Sequence, residues 1–133
     1  MKYLECQKDL GMENGEISAR QISASSQLDT NHAATQGRLN LNESWSALSN
    51  DSSQWLQVDL SSPYTKVTRV ATQGRKDAPQ WVTKYKLQFS NDGVKFRYYT
   101  DPIQTESKVK YAYRTLNFGL RKRLYDNNNS ILE

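Results

Sequence analysis

Two stretches in which apolar and polar side chains alternate constrain the fold of this 133-residue chain more than any other feature. In the segment 55–60, every second residue is apolar: Leu56, Val58 and Leu60. In the segment 81–89, one row of alternate positions is aromatic and apolar, and the row between is mostly basic and amide. Because successive side chains of a β-strand point to opposite faces of a sheet, both stretches predict half-buried strands. The aromatic row consists of Trp81, Thr83, Tyr85, Leu87 and Phe89.

Three further segments carry local signals. The Asp92-Gly93 pair favours the positive φ angles of a tight hairpin turn, and the alternation in 94–99 predicts the return strand. The β-branched stretch 66–72 predicts another strand. Residues 17–26 fit either a short strand or a single helical turn. Several short strands separated by turn signals predict an all-β protein, an antiparallel β-sandwich or barrel.

Composition and charge exclude several classes of protein. A mean hydropathy of −0.85 and the lack of an apolar run near the ~18 residues of a membrane helix exclude a transmembrane helix. An aromatic content of 11% is too high for an unfolded chain. The net charge is +4, but the one dense basic run, 121–123, is too short for a nucleic-acid patch, so no nucleic-acid partner is predicted. Cys6 is the only cysteine, and the N-terminus is not a signal peptide.

The segment between Gln27 and Ser53 is rich in Asn, Ser, Thr, Asp and Ala. Long loops in a compact chain are more often functional than idle, so this segment is a candidate binding region. It also contains two of the three N-x-S sequons of the chain, which begin at Asn42, Asn50 and Asn128. Sequons matter only in a secreted protein.

Several blocks of the sequence resemble, in order and in spacing, the discoidin domain, also called the coagulation-factor V/VIII type C domain. The blocks are 10–15, 21–26, 37–40 with Trp45, 55–60, 67–75 and 81–93. The resemblance implies a galactose-binding-domain-like β-sandwich or jelly-roll barrel. It also implies a non-catalytic, extracellular or cell-surface recognition module for cell adhesion or matrix contact. The alternatives are a reader of anionic phospholipid such as phosphatidylserine, and an accessory module of a larger enzyme or receptor.

The resemblance further implies that ligands bind to loops at one end of the barrel. Mapped onto this chain, these loops are 27–35, 42–53 and 75–80. The candidate ligand-binding residues are Gln27, Asp29, Asn31, His32, Asn42, Trp45, Arg75, Lys76 and Asp77. The first loop carries one large apolar residue, whereas insertion into lipid needs more apolar area at a loop tip. We therefore favour carbohydrate (glycan) or protein ligands over membrane lipid as partners, at the cell surface or in the matrix.

Individual residues leave alternatives open. His32, the only histidine, lacks the companions of a zinc site or a Ser-His-Asp triad, so neither a catalytic nor a metal role is predicted. Asp29, Asp51 and Asp77 could supply oxygen ligands to calcium, but their spacing matches no calcium loop. Solvated turn residues are the favoured alternative for all three, so no cofactor is predicted.

Trp45 and Arg75 each have a ligand-binding and a structural interpretation. Trp45 could be an exposed platform for a sugar ring or a wedge into lipid headgroups, but burial beneath the second loop is favoured. Arg75 could hold a carboxylate or phosphate in a bidentate manner. The favoured alternative is a structural salt bridge to a loop acid such as Asp77 or Asp59.

After Tyr99 the sequence departs from the family pattern. Family members continue with further strands and a closing Cys that pairs with one at the position of Cys6, and neither is recognisable here. We therefore expect an N-terminal extension (1–5), a partial discoidin-type domain (6–100) and a divergent C-terminal tail (101–133), truncated as in a fragment, a splice form or an incomplete gene model. Alternation around Tyr111, Tyr113 and Thr115 leaves open one replacement strand within 104–121.

Overall fold

The computed structural model of the chain describes residues 9–61, 67, 70–99 and 115–123. The strands are β1 Ile22–Ala24, β2 Gln54–Asp59, β3 Trp81–Ser90, β4 Arg97–Tyr98 and β5 Thr115–Arg123. They form one sheet in the order β1-β2-β5-β3-β4, and every pairing is antiparallel. Helical residues in this part of the chain form short 3-10 turns at Ala19–Gln21, Thr30–His32 and Ala34–Gly37. None of these turns is long and apolar enough to cross a bilayer.

Strand β2 confirms the first alternating stretch. Leu56 and Val58 are buried, with 9% and 3% of their surface exposed, and they form a core with Ile17 and Ile22. Burying such aliphatic side chains stabilises a fold by about 1.5–3 kcal/mol each. Leu60, the third member of the row, packs against this core from just beyond the strand.

Strand β3 confirms the second alternating stretch but not its single apolar face. The register with β5 shifts between Val82 and Lys84, so Thr83 is an extra residue of the kind found in a β-bulge. Because the extra residue changes which positions face the core, Val82 and Tyr85 both pack against the same buried cluster. The prediction that Val82 lies on the face opposite Tyr85 is therefore wrong.

The hairpin is present, but its turn is wider than predicted. Residues 90–96 separate the first cross-strand pair, Phe89 with Arg97, and the return strand comprises Arg97–Tyr98 instead of 94–99. Gly93 has the expected positive φ of 72°. The Asp92 carboxylate accepts hydrogen bonds from the N–H groups of Val94 and Lys95 at 2.9 Å each. These local bonds satisfy donors that a tight turn would have passed to the opposite strand, which explains the wider loop.

The prediction of a strand over 66–72 is wrong at its described residues. Val67 and the segment 70–72 belong to no strand, and the other residues of the stretch lie outside the described residues. Val67 is nevertheless only 2% exposed and packs against Leu60 and Phe89. A β-branched apolar run signals burial, but whether the backbone pairs depends on a partner strand that the run itself does not encode.

Strand β5 lies between β2 and β3 in the sheet. It is paired along its length. Its first residue, Thr115, lies opposite Asp59 of β2, and its last, Arg123, lies opposite Trp81 of β3. Part of the replacement strand left open above is thus present, at 115–123. The extension 1–5, Cys6, Tyr111, Tyr113 and the remaining tail lie outside the described residues.

The order of the strands determines where the three long loops emerge. Because β2 and β3 both run antiparallel to β5, they run in the same direction and begin at the same end of the sheet. β1 runs antiparallel to β2 and therefore ends there. Loop 27–35 follows β1, loop 42–53 precedes β2 and loop 75–80 precedes β3. These loops, termed the first, second and third loops, form what we call the loop rim.

The segment 17–26 contains both predicted alternatives, a 3-10 turn followed by β1.

Candidate functional site

The first and second loops are joined by backbone hydrogen bonds. The N–H of Leu28 donates to the carbonyl of Ser46 at 2.8 Å, and the N–H of Ser46 donates to the carbonyl of His32 at 3.3 Å. The indole N–H of Trp45 donates to the carbonyl of Ser26 at 2.8 Å. These bonds satisfy polar backbone groups that would otherwise be costly to bury, so the two loops form one connected surface.

Within the first loop, Asp29 organises the turn Thr30–His32. Its carboxylate accepts from the N–H groups of Asn31 at 2.9 Å and His32 at 3.0 Å, in the manner of a helix N-cap. The same oxygen lies 2.7 Å from Nδ1 of His32. The side-chain bond from His32 is the main reason that the pKa of Asp29 is lowered. Asp29 is thus a turn residue, as the favoured interpretation predicted.

The third loop is held together by Arg75. Its Nε donates to Oδ1 of Asp77 at 2.9 Å, and its Nη2 donates to Oδ2 at 2.7 Å. Nη1 donates to Oε1 of Gln80 at 2.9 Å. The Asp77 bond lowers the pKa of that carboxyl and raises the pKa of the Arg75 guanidinium. The structural salt bridge is therefore present, with Asp77 as the partner and not Asp59.

The third loop also contacts the other two. Lys76 Nζ donates to Oδ1 of Asn42 in the second loop at 3.1 Å. One ligand atom from each of His32, Glu43 and Asp77 lies within 4.8 Å of the others, so all three loops meet at this point. Both Asp77 oxygens are already engaged by Arg75, and His32 Nδ1 by Asp29. We therefore call this cluster the polar junction of the three loops.

A small cleft opens between the second and third loops, and we call it the rim cleft. Its walls include Ser44, Ser49, Arg75, Gln80 and Trp81, and its volume is about 60 Å³. This volume exceeds the minimum of about 10–15 Å³ that one water molecule needs, so the cleft can hold solvent or part of a ligand. Because the cleft is open on one side, a larger ligand such as a sugar can insert an edge or a polar group while the rest of it lies outside.

Two buried polar atoms at the same junction have no hydrogen-bond partner among the described residues. They are Nε2 of His32 and Oγ of Ser44. Buried polar groups are nearly always paired, with protein or with ordered water. These two atoms therefore mark places where an ordered water can complete the hydrogen bonding of the junction.

The structure separates the candidate residues into two groups. Trp45 and Arg75 line the rim cleft, and Asp77 adjoins it through its salt bridge to Arg75. Asn42 and Lys76 bond to each other outside the lining. The other four candidates lie outside the lining of the cleft: His32 is half-buried, and Gln27, Asp29 and Asn31 are exposed. Trp45 is half-buried and packs against the core, in agreement with the buried alternative and not with a free stacking platform.

Sequence reasoning missed Glu43, Ser44, Gln80 and Trp81 at this site. The first three lie in the second and third loops, so their positions were a usable signal, but their residue types suggested nothing specific. Trp81 stands at the start of a predicted strand, a position that indicates packing and not ligand contact. It is half-buried in the cleft wall.

Asp51 completes the set of acids considered for calcium. Its carboxylate accepts from the N–H of Ser53 at 2.8 Å and from Nε2 of Gln54 at 3.0 Å, which stabilises the turn that leads into β2. Asp29 likewise accepts from backbone N–H groups of its own turn, so both have the contacts of turn residues. Asp77 differs, since both of its carboxylate oxygens pair with Arg75.

Comparison with known proteins agrees with this architecture. The F5/8 type C domain model matches residues 21–121, a range that reaches into β5. "EGF-like repeat and discoidin I-like domain-containing protein 3" of Homo sapiens is 42% identical over 118 residues, covering 78% of this chain and 24% of the relative. Lactadherin of Bos taurus is 35% identical over 118 residues, covering 78% of this chain and 27% of the relative. The chain thus spans about a quarter of the length of these relatives.

Solved structures show the same fold. Discoidin II of Dictyostelium discoideum superposes with a TM-score of 0.64 at 21% identity, covering 84% of this chain and 52% of that one. CpGH89CBM32-6, produced by Clostridium perfringens, superposes with a TM-score of 0.51 at 16% identity, covering 94% of each chain. These likenesses confirm the predicted antiparallel, galactose-binding-domain-like β-sandwich. The chain belongs to the F5/8 type C, or discoidin, domain family.

Proposed function

We propose that this domain is a non-catalytic recognition module that binds glycan or protein ligands at the rim cleft, outside the cell or at its surface. The observation that carries the proposal is the convergence of three polar loops on one end of the sheet, two of which form a cleft with polar side chains in its wall. Binding sites are typically concave, with a few precisely placed polar groups. Family membership supports the same role.

The chemistry of the rim cleft favours a ligand with hydroxyl or carboxylate groups. The hydroxyl of Ser49, exposed in the cleft wall, can both donate and accept, so it can pair with a ligand hydroxyl. Trp81 contributes an apolar wall against which the carbon face of a sugar or a side chain can pack. Arg75 keeps the third loop in place and leaves its remaining N–H groups for a ligand oxygen.

An array of glycans and matrix proteins tests the proposal, with cleft-filling and matched control variants. Ser49→Leu adds bulk at an exposed position in the cleft wall, whereas Ser23→Leu adds the same bulk at an exposed position on β1. We expect Ser49→Leu to lose the ligands that the unmodified chain and Ser23→Leu bind. Equal binding by both variants, or no ligand for the unmodified chain on the array, would refute this proposal.

Binding to anionic phospholipid is the second candidate, and exposed leucines on adjacent loops favour it. Leu28 is 46% exposed and Leu48 is 63% exposed. Leu28 is bonded to Ser46 of the second loop, and the N–H of Leu48 donates to Oγ of Ser26 beside the first loop at 3.1 Å. The folded rim thus offers more apolar area than the first loop alone, and burying each leucine could contribute up to about 1.5–3 kcal/mol.

Co-sedimentation with liposomes, with and without phosphatidylserine, decides between the two candidates. If lipid is the ligand, the double variant Leu28→Ser/Leu48→Ser should lose sedimentation. The control Val94→Ser, at an even more exposed apolar position in the β3–β4 loop, should retain it. That loop lies at the far end of ten-residue β3, about 30 Å from the loop rim. Absence of sedimentation in the unmodified chain would leave the glycan or protein ligand as the sole candidate.

A further inference from the structure

The second loop contains two N-x-S sequons, which differ in the hydrogen bonding and burial of their side chains. In the first of them, Asn42 is engaged: its Oδ1 accepts from Lys76 Nζ at 3.1 Å. The hydroxyl of the sequon serine, Ser44, is buried. Transfer of an oligosaccharide needs the asparagine amide and the serine hydroxyl to be reachable together. Asn42 is exposed, but the buried Ser44 hydroxyl makes the first sequon the poorer acceptor once the loop has folded.

The second sequon has the opposite environment. Asn50 and Ser52 are both exposed, and in the part of the chain that the structure describes neither side chain has a hydrogen-bond partner. The residue between them, Asp51, is occupied elsewhere, since its carboxylate is bonded to Ser53 and Gln54. The turn just before β2 therefore presents the Asn50 amide and the Ser52 hydroxyl without any bond that must first be broken.

We propose that Asn50 is the N-glycosylation site of the loop rim and that Asn42 is not modified. The co-reactant is an oligosaccharide carried on a polyprenyl pyrophosphate, the donor class of the secretory route. The amide nitrogen of Asn50 forms a bond to the anomeric carbon of the oligosaccharide, and the bond from that carbon to the pyrophosphate oxygen breaks. The lipid pyrophosphate leaves with the electron pair, the amide nitrogen loses one proton, and no oxidation or reduction occurs.

A glycan at Asn50 would stand at the edge of the rim cleft. The residues on either side of it, Ser49 and Asp51, both line the cleft, and exposed Leu48 is two positions away. A hydrated, bulky chain at this point would hinder a flat partner such as a bilayer more than a small ligand that enters the cleft. This consequence rests on the function proposed above, whereas the modification itself depends on the exposed sequon and on passage through the secretory pathway.

The test is intact-mass and peptide mapping of the full chain, secreted from mammalian cells behind a supplied leader. An Asn128→Gln background removes the third sequon, which lies outside the described residues. We expect a mass increase that peptide-N-glycosidase removes, with conversion of Asn50 to aspartate at that site. Asn50→Gln should abolish the increase, Asn42→Gln should leave it unchanged, and Ser52→Thr should preserve it.

A control sequon separates failure of the proposal from failure of delivery. Glu16→Thr places a threonine two residues after Asn14, at a turn remote in sequence from the loop rim. Both positions are exposed, and Asn14 Oδ1 accepts only from the N–H of residue 16 within the same turn, at 3.0 Å. Modification at Asn14 without modification at Asn50 overturns the proposal, and so does modification at Asn42 equal to that at Asn50. Because the readout is a mass and involves no ligand, a negative ligand array does not affect it.

Discussion

Arg75 holds Asp77 through two parallel hydrogen bonds, Nε to Oδ1 at 2.9 Å and Nη2 to Oδ2 at 2.7 Å. The third bond of the guanidinium, to Gln80, closes the other side of the same loop. The third loop is thus ordered before a ligand arrives, and a preordered loop loses less conformational entropy on binding. The salt bridge and a binding role for this region are therefore compatible, since the bridge shapes the surface that a ligand would meet.

Arg75→Lys should weaken ligand binding while the thermal unfolding midpoint changes little. Lysine keeps the positive charge but cannot form two parallel bonds to one carboxylate. Asp77 is half-exposed, and exposed ion pairs contribute little to stability. Titration of an array-selected ligand, alongside thermal unfolding, measures both effects. Arg97→Lys, an exposed arginine on β4, is the matched control and should bind normally. A large drop in the unfolding midpoint without loss of binding would contradict this account.

Acid should weaken the β3–β4 loop through Asp92. Backbone N–H bonds from Lys95 and Val94, and the hydroxyl of Ser90, lower the pKa of Asp92 from 3.8 to about 2. A carboxyl whose pKa is lower in the folded state stabilises the fold above its unfolded pKa. Its contribution is therefore fully present above pH 3.8 and is lost as pH falls through about 2.

Urea unfolding across that pH window, with Asp92→Asn beside the unmodified chain, measures this contribution. The variant should be less stable above pH 3.8, and the difference should shrink as pH approaches about 2. Ser90→Ala removes one of the bonded partners and should show a smaller pH dependence than the unmodified chain. A difference between Asp92→Asn and the unmodified chain that stays constant with pH would argue against the carboxylate.

Trp45→Phe should destabilise the domain by about 1 kcal/mol. The substitution removes the indole N–H that donates to the carbonyl of Ser26 at 2.8 Å, and it keeps most of the ring that packs against the core. Trp45→Ala should cost more, about 3 kcal/mol, because it also leaves a cavity. Chemical denaturation measures both values. An unchanged stability for Trp45→Ala would indicate that the ring contributes little to packing.

Gly11→Ala and Gly15→Ala form a matched pair, since both glycines have positive φ, 106° and 82°. A Cβ at Gly11 would lie 2.5 Å from Cβ of Glu16 and 3.0 Å from the nitrogen of Ile17, whereas a Cβ at Gly15 meets nothing within 4 Å. We expect Gly15→Ala to cost about 1 kcal/mol from backbone strain, and Gly11→Ala about 2–3 kcal/mol from strain and collision. Equal losses in denaturation experiments would show that the collision is relieved by movement of the 11–17 turn.

Much of the sheet is encoded locally. The alternation of Leu56 with Val58 predicted β2 and its buried face, because the two-residue period of a strand is a property of the backbone. The aromatic alternation predicted β3 for the same reason. The bulge at Thr83 was not predictable, since it appears only when β3 is placed in register with β5. The wide turn after Ser90 likewise depends on which donors the Asp92 carboxylate captures.

The candidate site is less local. The residue types of the three loops, and the acids that stabilise their turns, could be read from the amino-acid sequence. Their meeting at one end follows from the position of β5, which lies between β2 and β3 and makes those two strands run in the same direction. A sequence determines side-chain period and turn chemistry over a few residues. Pairing between distant segments is decided only by the folded chain, because it depends on the register and packing that all the strands reach together.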